Sequence, residues 1–442
     1  MQKMVFTVVL CLSTVFFNLA RASAPLQNTA ALPLSSSQAG TLQDTGIFAP
    51  TPTPRRSFYV DCQGDDRQTG LNAPAAFQHL ARINTMKLLP GDHVLLRRGC
   101  TFNGPLLAAS SGTASAPVVY AAYGNGPAPV ITLNTDAEAV LASGQHLIFD
   151  GLNVTTAVPA AARAAGRCRT TPVAWRVGFE LTGQYNTVQR SSASGFMAGI
   201  HLSAGNNRVL GNTLQGNNVM KKNTPAVQDD DSGAWGVLVN ADDNEVAYNT
   251  FSGNWACSED YGRDGSSVEL YQASHNNVHH NFTTEDITFT ELGGTPDAQS
   301  EFNTFSFNTY APVKGGGAFI VLRGVKSHWG GNPGTVFDHN VGYMVDMGVI
   351  CSDGCGPSIL KATDNVLWQR DTPSGLVPNA CAMWADAAFT ESRNVFWKTD
   401  GRPTVSIDNS TLSSTDHIAN PRFTRADAMD FSRNGGMIAS VR

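Results

Sequence analysis

The hexapeptide Asn244-Glu245-Val246-Ala247-Tyr248-Asn249 returns, altered but in step, as Asn276-Asn277-Val278-His279-His280-Asn281 and Asn303-Thr304-Phe305-Ser306-Phe307-Asn308. An earlier copy is Asn207-Arg208-Val209-Leu210-Gly211-Asn212, and Asn186-Thr187-Val188 keeps its first half. Val336-Phe337-Asp338-His339-Asn340 keeps the second half, while Asn365-Val366-Leu367-Trp368 and Asn394-Val395-Phe396-Trp397 keep the end. The terminal asparagine recurs at 212, 249, 281, 308, 340, 365 and 394, at spacings of 37, 32, 27, 32, 25 and 29 residues. A unit of about 20–50 residues that varies in length predicts stacked coils with loops of unequal size. Each coil cannot bury its own apolar face and must lie on its neighbours.

Two columns follow from laying the copies over one another. Val188, Val209, Val246, Val278, Phe305 and Phe337 should stack in the core. Tyr248, His280, Phe307 and His339, one residue before the terminal Asn, form a second column. Flat side chains stack well across strands, so His280 and His339 read as packing groups rather than catalysts. Asparagine tolerates a left-handed backbone and can bond its amide to the next coil, so the terminal Asn suits the turn.

The composition agrees with a turn-rich β protein: 42 Gly and only 15% charged residues in 442. A net charge of −6, from 36 acidic and 30 basic residues with no basic run, argues against a nucleic-acid partner. Lys3, the apolar run Val5–Ala20 and Ala22-Ser23-Ala24 read as a secretory signal peptide over 1–24, too short for a membrane span. A soluble, secreted or periplasmic monomer without stable membrane insertion is expected, of bacterial type. Residues 25–56, rich in Ala, Ser, Thr and Pro, read as a disordered linker. Seven cysteines follow the signal, and export permits disulfides. Cys62 with Cys100 is the first pairing expected, then Cys351 with Cys355 or Cys381. No paired CxxC or nearby His supports zinc.

From Phe58 a series of signals runs in order: Phe58-Tyr59-Val60-Asp61, Gly64-Asp65-Asp66, Gly70, a helical segment Ala76–Met86, and Leu89-Pro90-Gly91-Asp92. Val94–Gly99, Thr101-Phe102, Ser111-Gly112-Thr113, Pro117-Val118 and Tyr123-Gly124 complete it. The series resembles the N-terminal cap of secreted β-helix proteins of the pectate-lyase-like superfamily. The resemblance implies an all-β, single-stranded right-handed parallel β-helix (a solenoid) with a capping unit that contains a short helix. The helix would cover the open edge of the first coil. The cap and first coils are expected over 57–130, the remaining coils with groove-lining loops over 131–400, and a C-terminal cap over 401–442. Ala419-Asn420-Pro421-Arg422-Phe423 resembles the closing segment of such proteins.

Chemistry concentrates between Trp235 and Lys326. Four apolar runs, Trp235–Asn240, Ser267–Tyr271, Thr288–Gly293 and Ala318–Gly324, align through Leu238, Leu270, Leu292 and Leu322. Strand alternation then turns Glu269, Tyr271, Glu291 and Arg323 outward. Glu269 falls beside Glu291 on the next coil, about 4.8 Å away. Stacked like charges raise at least one pKa. Insertions on these coils carry Asp229-Asp230-Asp231, Trp255, Glu259, Asp260, Tyr261, Arg263, Asp264, Lys326, His328 and Trp329. Such loops would wall a groove. Trp255, Tyr261, Tyr271 and Trp329 suit stacking on sugar rings, and Arg263, Lys326 and His328 suit binding a polysaccharide substrate.

Paired carboxyls at this spacing fit glycoside hydrolysis. Glu269 and Glu291 would be acid and nucleophile or base, with Asp264 as third candidate, Arg323 binding substrate, and no cofactor. A polysaccharide lyase is the rival. Related β-helix lyases neutralise a uronate with Ca²⁺ or a cation and use Lys or Arg as base. Here Glu269, Glu291 and Asn240 could hold Ca²⁺, and Arg323, Lys326 or His328 could be the base. Leu322-Arg323-Gly324 resembles the L-R-H-G stretch of alginate and chondroitin lyases without its His. Thr295-Pro296 stands where such lyases carry a lysine. A non-catalytic glycan-binding or adhesion β-helix is the third reading, disfavoured by irregular repeats and long loops on only a few coils.

Overall fold

A computed structural model of the chain describes residues 46–433 apart from 157–161, 226–227, 313–315, 374–379 and 409. The expected signal peptide lies outside the described residues. Three long parallel sheets account for nearly all the structure. Sheet 1 has 12 strands, from Arg56–Val60 to Thr390–Ser392; sheet 2 has 12, from Thr101–Asn103 to His417–Ile418; sheet 3 has 11, from Leu106–Ala108 to Val405–Ile407. Along the coils the chain visits them in the order 1, 2, 3 and climbs one step per turn. This is a right-handed parallel β-helix.

The expected core column is in register. Val188, Val209, Val246, Val278, Phe305 and Phe337 pair strand to strand along sheet 1, and all six are fully buried. The asparagines form the ladder that the repeat implied. Asn249 N–H donates to Asn281 Oδ1 at 3.0 Å, Asn281 N–H to Asn308 Oδ1 at 3.1 Å, and Asn308 N–H to Asn340 Oδ1 at 2.9 Å. Each Nδ2 donates both ways: that of Asn281 to Val246 O at 2.8 Å and to Asn308 Oδ1 at 3.0 Å. A buried amide with every polar atom engaged costs little, whereas an unpaired one costs about 1–3 kcal/mol.

The backbone corrects one expectation. The left-handed residue is the one before each Asn: Tyr248 has φ 59°, His280 53°, Phe307 56° and His339 53°. The bend falls there because the Asn side chain must enter the interior to reach the next coil. The preceding side chain is then thrown outward, where it meets its counterparts. Tyr248–His280, His280–Phe307 and Phe307–His339 stack at 4.9, 4.9 and 5.0 Å. The second column is therefore a half-buried outer stack, not part of the core.

At the N-terminal end the helix is shorter than Ala76–Met86: it spans Leu80–Asn84 and buries Leu80 and Ile83. Phe77 bridges Val60 as a strand would, and Asp66 accepts the N–H groups of Gln78 and His79 at 2.8 and 3.0 Å. Those bonds hold 77–79 extended. The expected linker ends in ordered chain: Ala49 N–H donates to Gln189 Oε1 at 2.9 Å, and the Phe48 ring lies 4.9 Å from the Arg190 guanidinium. Phe48 also occupies the space over Gly211, where a Cβ would meet its ring at 2.6 Å. The closing strands Phe423–Arg425 and Asp430–Arg433 pack sideways, through Phe423 on Trp368 and Phe431 on Tyr343.

Among the described residues three disulfides are present: Cys62–Cys100, Cys168–Cys257 and Cys351–Cys355. The sequence suggested the first and one alternative for the third, but not the second. Cys381 is a buried thiol outside them.

A separate ladder runs Asn217, Asn254, Asp286: Asn217 N–H donates to Asn254 Oδ1 at 3.3 Å and Asn254 N–H to Asp286 Oδ1 at 2.7 Å. Asp286 stands where its neighbours are neutral amides. Burial pushes its carboxyl up to about 7, against the bonds from Asn254 and Ser267. Its folded pKa lies above the unfolded value, so the folded state binds more protons between roughly pH 4 and 7. Stability from this group is therefore full below pH 4 and falls as pH rises through 7. Asp286→Asn should flatten that fall and add about 1–2 kcal/mol at pH 8. Urea unfolding at pH 5 and pH 8 checks this; an equal change at both would remove the ionisation account.

Candidate active site

Strand Ser266–Tyr271 lies in sheet 3 beside Thr288–Gly293, with Glu269 opposite Glu291, Leu270 opposite Leu292 and Tyr271 opposite Gly293. Leu270 and Leu292 are fully buried, so the alternate residues face out. Both glutamates are half-buried on the outer face. On the next strand Val321 is opposite Glu291. Arg323 thus stands one outward place further along and reaches back. Its Nη2 pairs with Glu291 Oε1, and its Nη1 donates to Leu292 O at 2.7 Å. The expected strip is assembled, with Arg323 committed to Glu291.

One alignment fails. Val239, not Leu238, is opposite Leu270, and Leu238 is opposite Glu269. Both residues are apolar, so the pattern could not set the phase. Leu238 faces outward into an apolar cluster with Val177, Trp235 and Val219. The same outward column continues through His201 to Glu180. There His201 Nδ1 lies 2.6 Å from Glu180 Oε2 and Nε2 2.8 Å from Asn240 Oδ1, while Asn240 Nδ2 donates to Tyr271 O at 2.8 Å. Asn240 therefore belongs to a buried His–Glu network rather than to the carboxylate pair. Sequence reading missed Glu180 and His201, because their partners lie 21 and 39 residues away.

Asp264 completes the acidic cluster. Burial, then Glu291, pushes its carboxyl well above the usual range, against a 2.8 Å bond from the Gly265 N–H. Glu269 is raised by burial, then by Glu291 and Asp264, against Ser266 Oγ at 2.9 Å and Arg323. Three carboxyls thus share one guanidinium. The two raised ones favour the protonated form, while Glu291 holds the ion pair.

The insertions build the wall on the side where chain enters sheet 3. Strands Ala162–Arg163, Pro172–Val173, Met220–Lys222 and Ser232–Gly233 form a small separate sheet. Hairpin strands Ala256–Ser258 and Gly262–Asp264 stand beside it, tied in by the Cys168–Cys257 disulfide. Across the hairpin the Arg263 guanidinium lies 4.5 Å from the Trp255 ring. Tyr261 is 49% exposed, and its hydroxyl donates to Asp229 Oδ1 at 2.7 Å. The Tyr271 ring covers Gly293 on the neighbouring coil. On the far wall Lys326 lies over Gly354 on the next coil, while His328 is exposed beside half-buried Trp329, ring to ring at 4.9 Å.

Acidic groups with metal-ligand spacing occur elsewhere among the described residues, at Asp230–Asp231–Asp260 and Asp338–His339–Asp364. In the first, Asp260 already accepts the N–H groups of Gln228, Asp230 and Asp231. In the second, Arg393 pairs with Asp364.

No protein-family model matches the sequence, and no curated protein does. Solved structures do match. A rhamnogalacturonan lyase superposes with a TM-score of 0.50 at 12% identity, over 86% of this chain and 93% of that one. XylC in complex with xylose gives 0.50 at 8% identity, over 83% and 87%. The Dettilon tailspike protein gives 0.50 at 12%, over 76% and 62%. The chain shares the fold of these proteins. At these identities the likeness concerns the course of the chain, and the site has to be read from its own residues.

The shared cation makes a specific demand. Asp264 and Glu269 have folded pKa values above their unfolded ones, so the folded state loses stability as pH rises past the unfolded values. Arg323→Met removes the only guanidinium paired with the cluster among the described residues. It should cost on the order of 3 kcal/mol at pH 8 and clearly less at pH 5, where the acids take up protons. Equal losses in denaturant unfolding at the two pH values would contradict the shared-cation description.

Proposed function

We propose that the protein is a carbohydrate-active enzyme that hydrolyses glycosidic bonds at the Glu269–Glu291 pair. The observation that carries this reading is their in-register placement on adjacent strands, with the Arg323 ion pair made to Glu291 and not to Glu269. Adjacent strands lie about 4.8 Å apart, near the roughly 5–5.5 Å carboxyl separation of retaining glycosidases. Environments that push two carboxyls apart assign their roles. Glu269, raised by burial and like charge, is the general acid. Glu291, in the ion pair, is the nucleophile. In the first step Glu269 gives its proton to the glycosidic oxygen while Glu291 attacks the anomeric carbon, and the leaving sugar departs as an alcohol. In the second, ionised Glu269 takes a proton from water, which displaces Glu291 and restores both groups.

Asp264, also raised, is placed to bond a sugar hydroxyl. Tyr261, Tyr271, Trp255 and Trp329 supply apolar ring faces beside the pair. The lyase alternative needs a cation for the uronate carboxylate. Arg323 offers little there, since one Nη serves Glu291 and the other Leu292 O. Glu269 and Glu291 would be the oxygen donors for Ca²⁺ on that alternative, with Lys326 or His328 left as base.

Glu269→Gln and Glu291→Gln should each lower turnover at least about 1,000-fold, as expected for an acid and a nucleophile, with the fold retained. Digests of a polysaccharide panel are followed for reducing ends and for the ultraviolet absorbance of unsaturated uronates, with and without EDTA. Reducing ends without that absorbance support hydrolysis. An unsaturated, EDTA-sensitive product replaces it with elimination. Tight glycan binding without cleavage by the wild type replaces both with a binding module.

A further inference from the structure

Asp229 joins the two walls of the site. Its Oδ1 accepts the Tyr261 hydroxyl at 2.7 Å, its Oδ2 lies 3.4 Å from Trp329 Nε1, and the same oxygen lies 3.9 Å from His328 Nε2. Asp229 and Tyr261 belong to insertions that enter sheet 3. His328 and Trp329 belong to the loop that leaves it, after strand Ala318–Arg323. The inner face of the sheet is filled by the core. A contact between the entering and leaving sides therefore passes over the outer face. Tyr261 marks where it passes: it stands at the turn of the hairpin whose second strand carries Asp264, and the loop bearing Trp329 is held by Asn332 on Arg323. The crossing lies over the carboxyl cluster.

The turn that presents Asp229 is stiff. Asp260 gathers the N–H groups of Gln228, Asp230 and Asp231 at 2.9, 2.8 and 3.1 Å. Asp231 in turn accepts Thr224 N–H, Ser258 Oγ and Asp260 N–H at 2.8, 2.7 and 3.0 Å. Glu259 accepts the Cys168 N–H beside the Cys168–Cys257 disulfide, so three insertions brace one another. Asp229 itself has φ 60°, a conformation an L-residue holds at a cost. On the far side Asn332 Oδ1 accepts Arg323 N–H at 2.7 Å and Asn332 N–H donates to Arg323 O at 2.9 Å, which anchors the loop bearing Trp329.

We propose that the Asp229 bridge closes the strip across its width and makes this a chain-end enzyme. A glycan cannot lie along the coils past the bridge, so only a terminal sugar unit reaches Glu269 and Glu291, and Asp229 is the specificity-determining residue. The inference rests on the glycan-cleaving reading above. It is tested on soluble xylan, mixed-linkage β-glucan and galactan by reading viscosity and reducing ends together. Wild type should lose little viscosity per bond broken. Asp229→Ala should lose several-fold more, while Asp229→Asn, which still accepts the Tyr261 hydroxyl, stays near wild type. Early collapse of viscosity with the wild type overturns the bridge and leaves hydrolysis standing. Amide exchange tests the bridge without any substrate. Residues 326–332 should exchange about tenfold faster in Asp229→Ala. Unchanged exchange overturns the bridge even if no polysaccharide of the panel is cut, whereas faster exchange with no cleavage confirms the contact and sinks the hydrolytic reading alone.

Discussion

The bond from a backbone N–H to the asparagine Oδ1 of the next coil is what the rest of this molecule depends on. A β-helix must turn sharply three times per coil, and each turn leaves peptide groups that no sheet can pair. At the turn from sheet 1 to sheet 2 the ladder from Asn212 to Asn394 takes them up, rung by rung. Asn186, Asn207, Asn244, Asn276 and Asn303 do the same where sheet 3 returns to sheet 1. Because a rung fixes the turn and not the loop, coils differ in length without losing register. That freedom lets insertions gather on a few consecutive coils.

The carboxyl cluster takes advantage of a scaffold held by neutral amides. With most of these turns satisfied by Asn, the charge concentrated on one outer strip has to be balanced locally. Three carboxyls with one guanidinium is an unequal balance. It resolves into an ion pair and two raised acids, and the proposed mechanism draws its nucleophile from the first and its acid from the second. The buried Glu180–His201–Asn240 network further down the same column is balanced differently, with each polar atom given to a neighbour.

Much of the scaffold was legible. The core column, the asparagine ladder and the stacked Tyr248, His280, Phe307 and His339 follow from a repeat written into six residues. Glu269 beside Glu291 was legible for the same reason, since each lies one place before a buried leucine. The failures share a cause as well. Leu238 and Val239 are equally apolar, so only the burial of Val239 against Leu270 sets their phase. Cys168 and Cys257 are 89 residues apart in insertions that carry no repeat. Asp229 was one of three consecutive aspartates with nothing in the sequence to separate it from Asp230 or Asp231.

The sequence by itself determined the stacking, the register of the repeat along sheet 1 and the presence of acids on an outer face, because a periodic chain repeats its local energetics at every turn. Tertiary structure alone decided which acid Arg323 would neutralise, that Asn240 would serve His201, and that Asp229 would reach Trp329 across 100 residues. Those contacts join loops whose lengths and compositions obey no period. They form only when coils of unequal size are brought to a common spacing by the ladder beneath them.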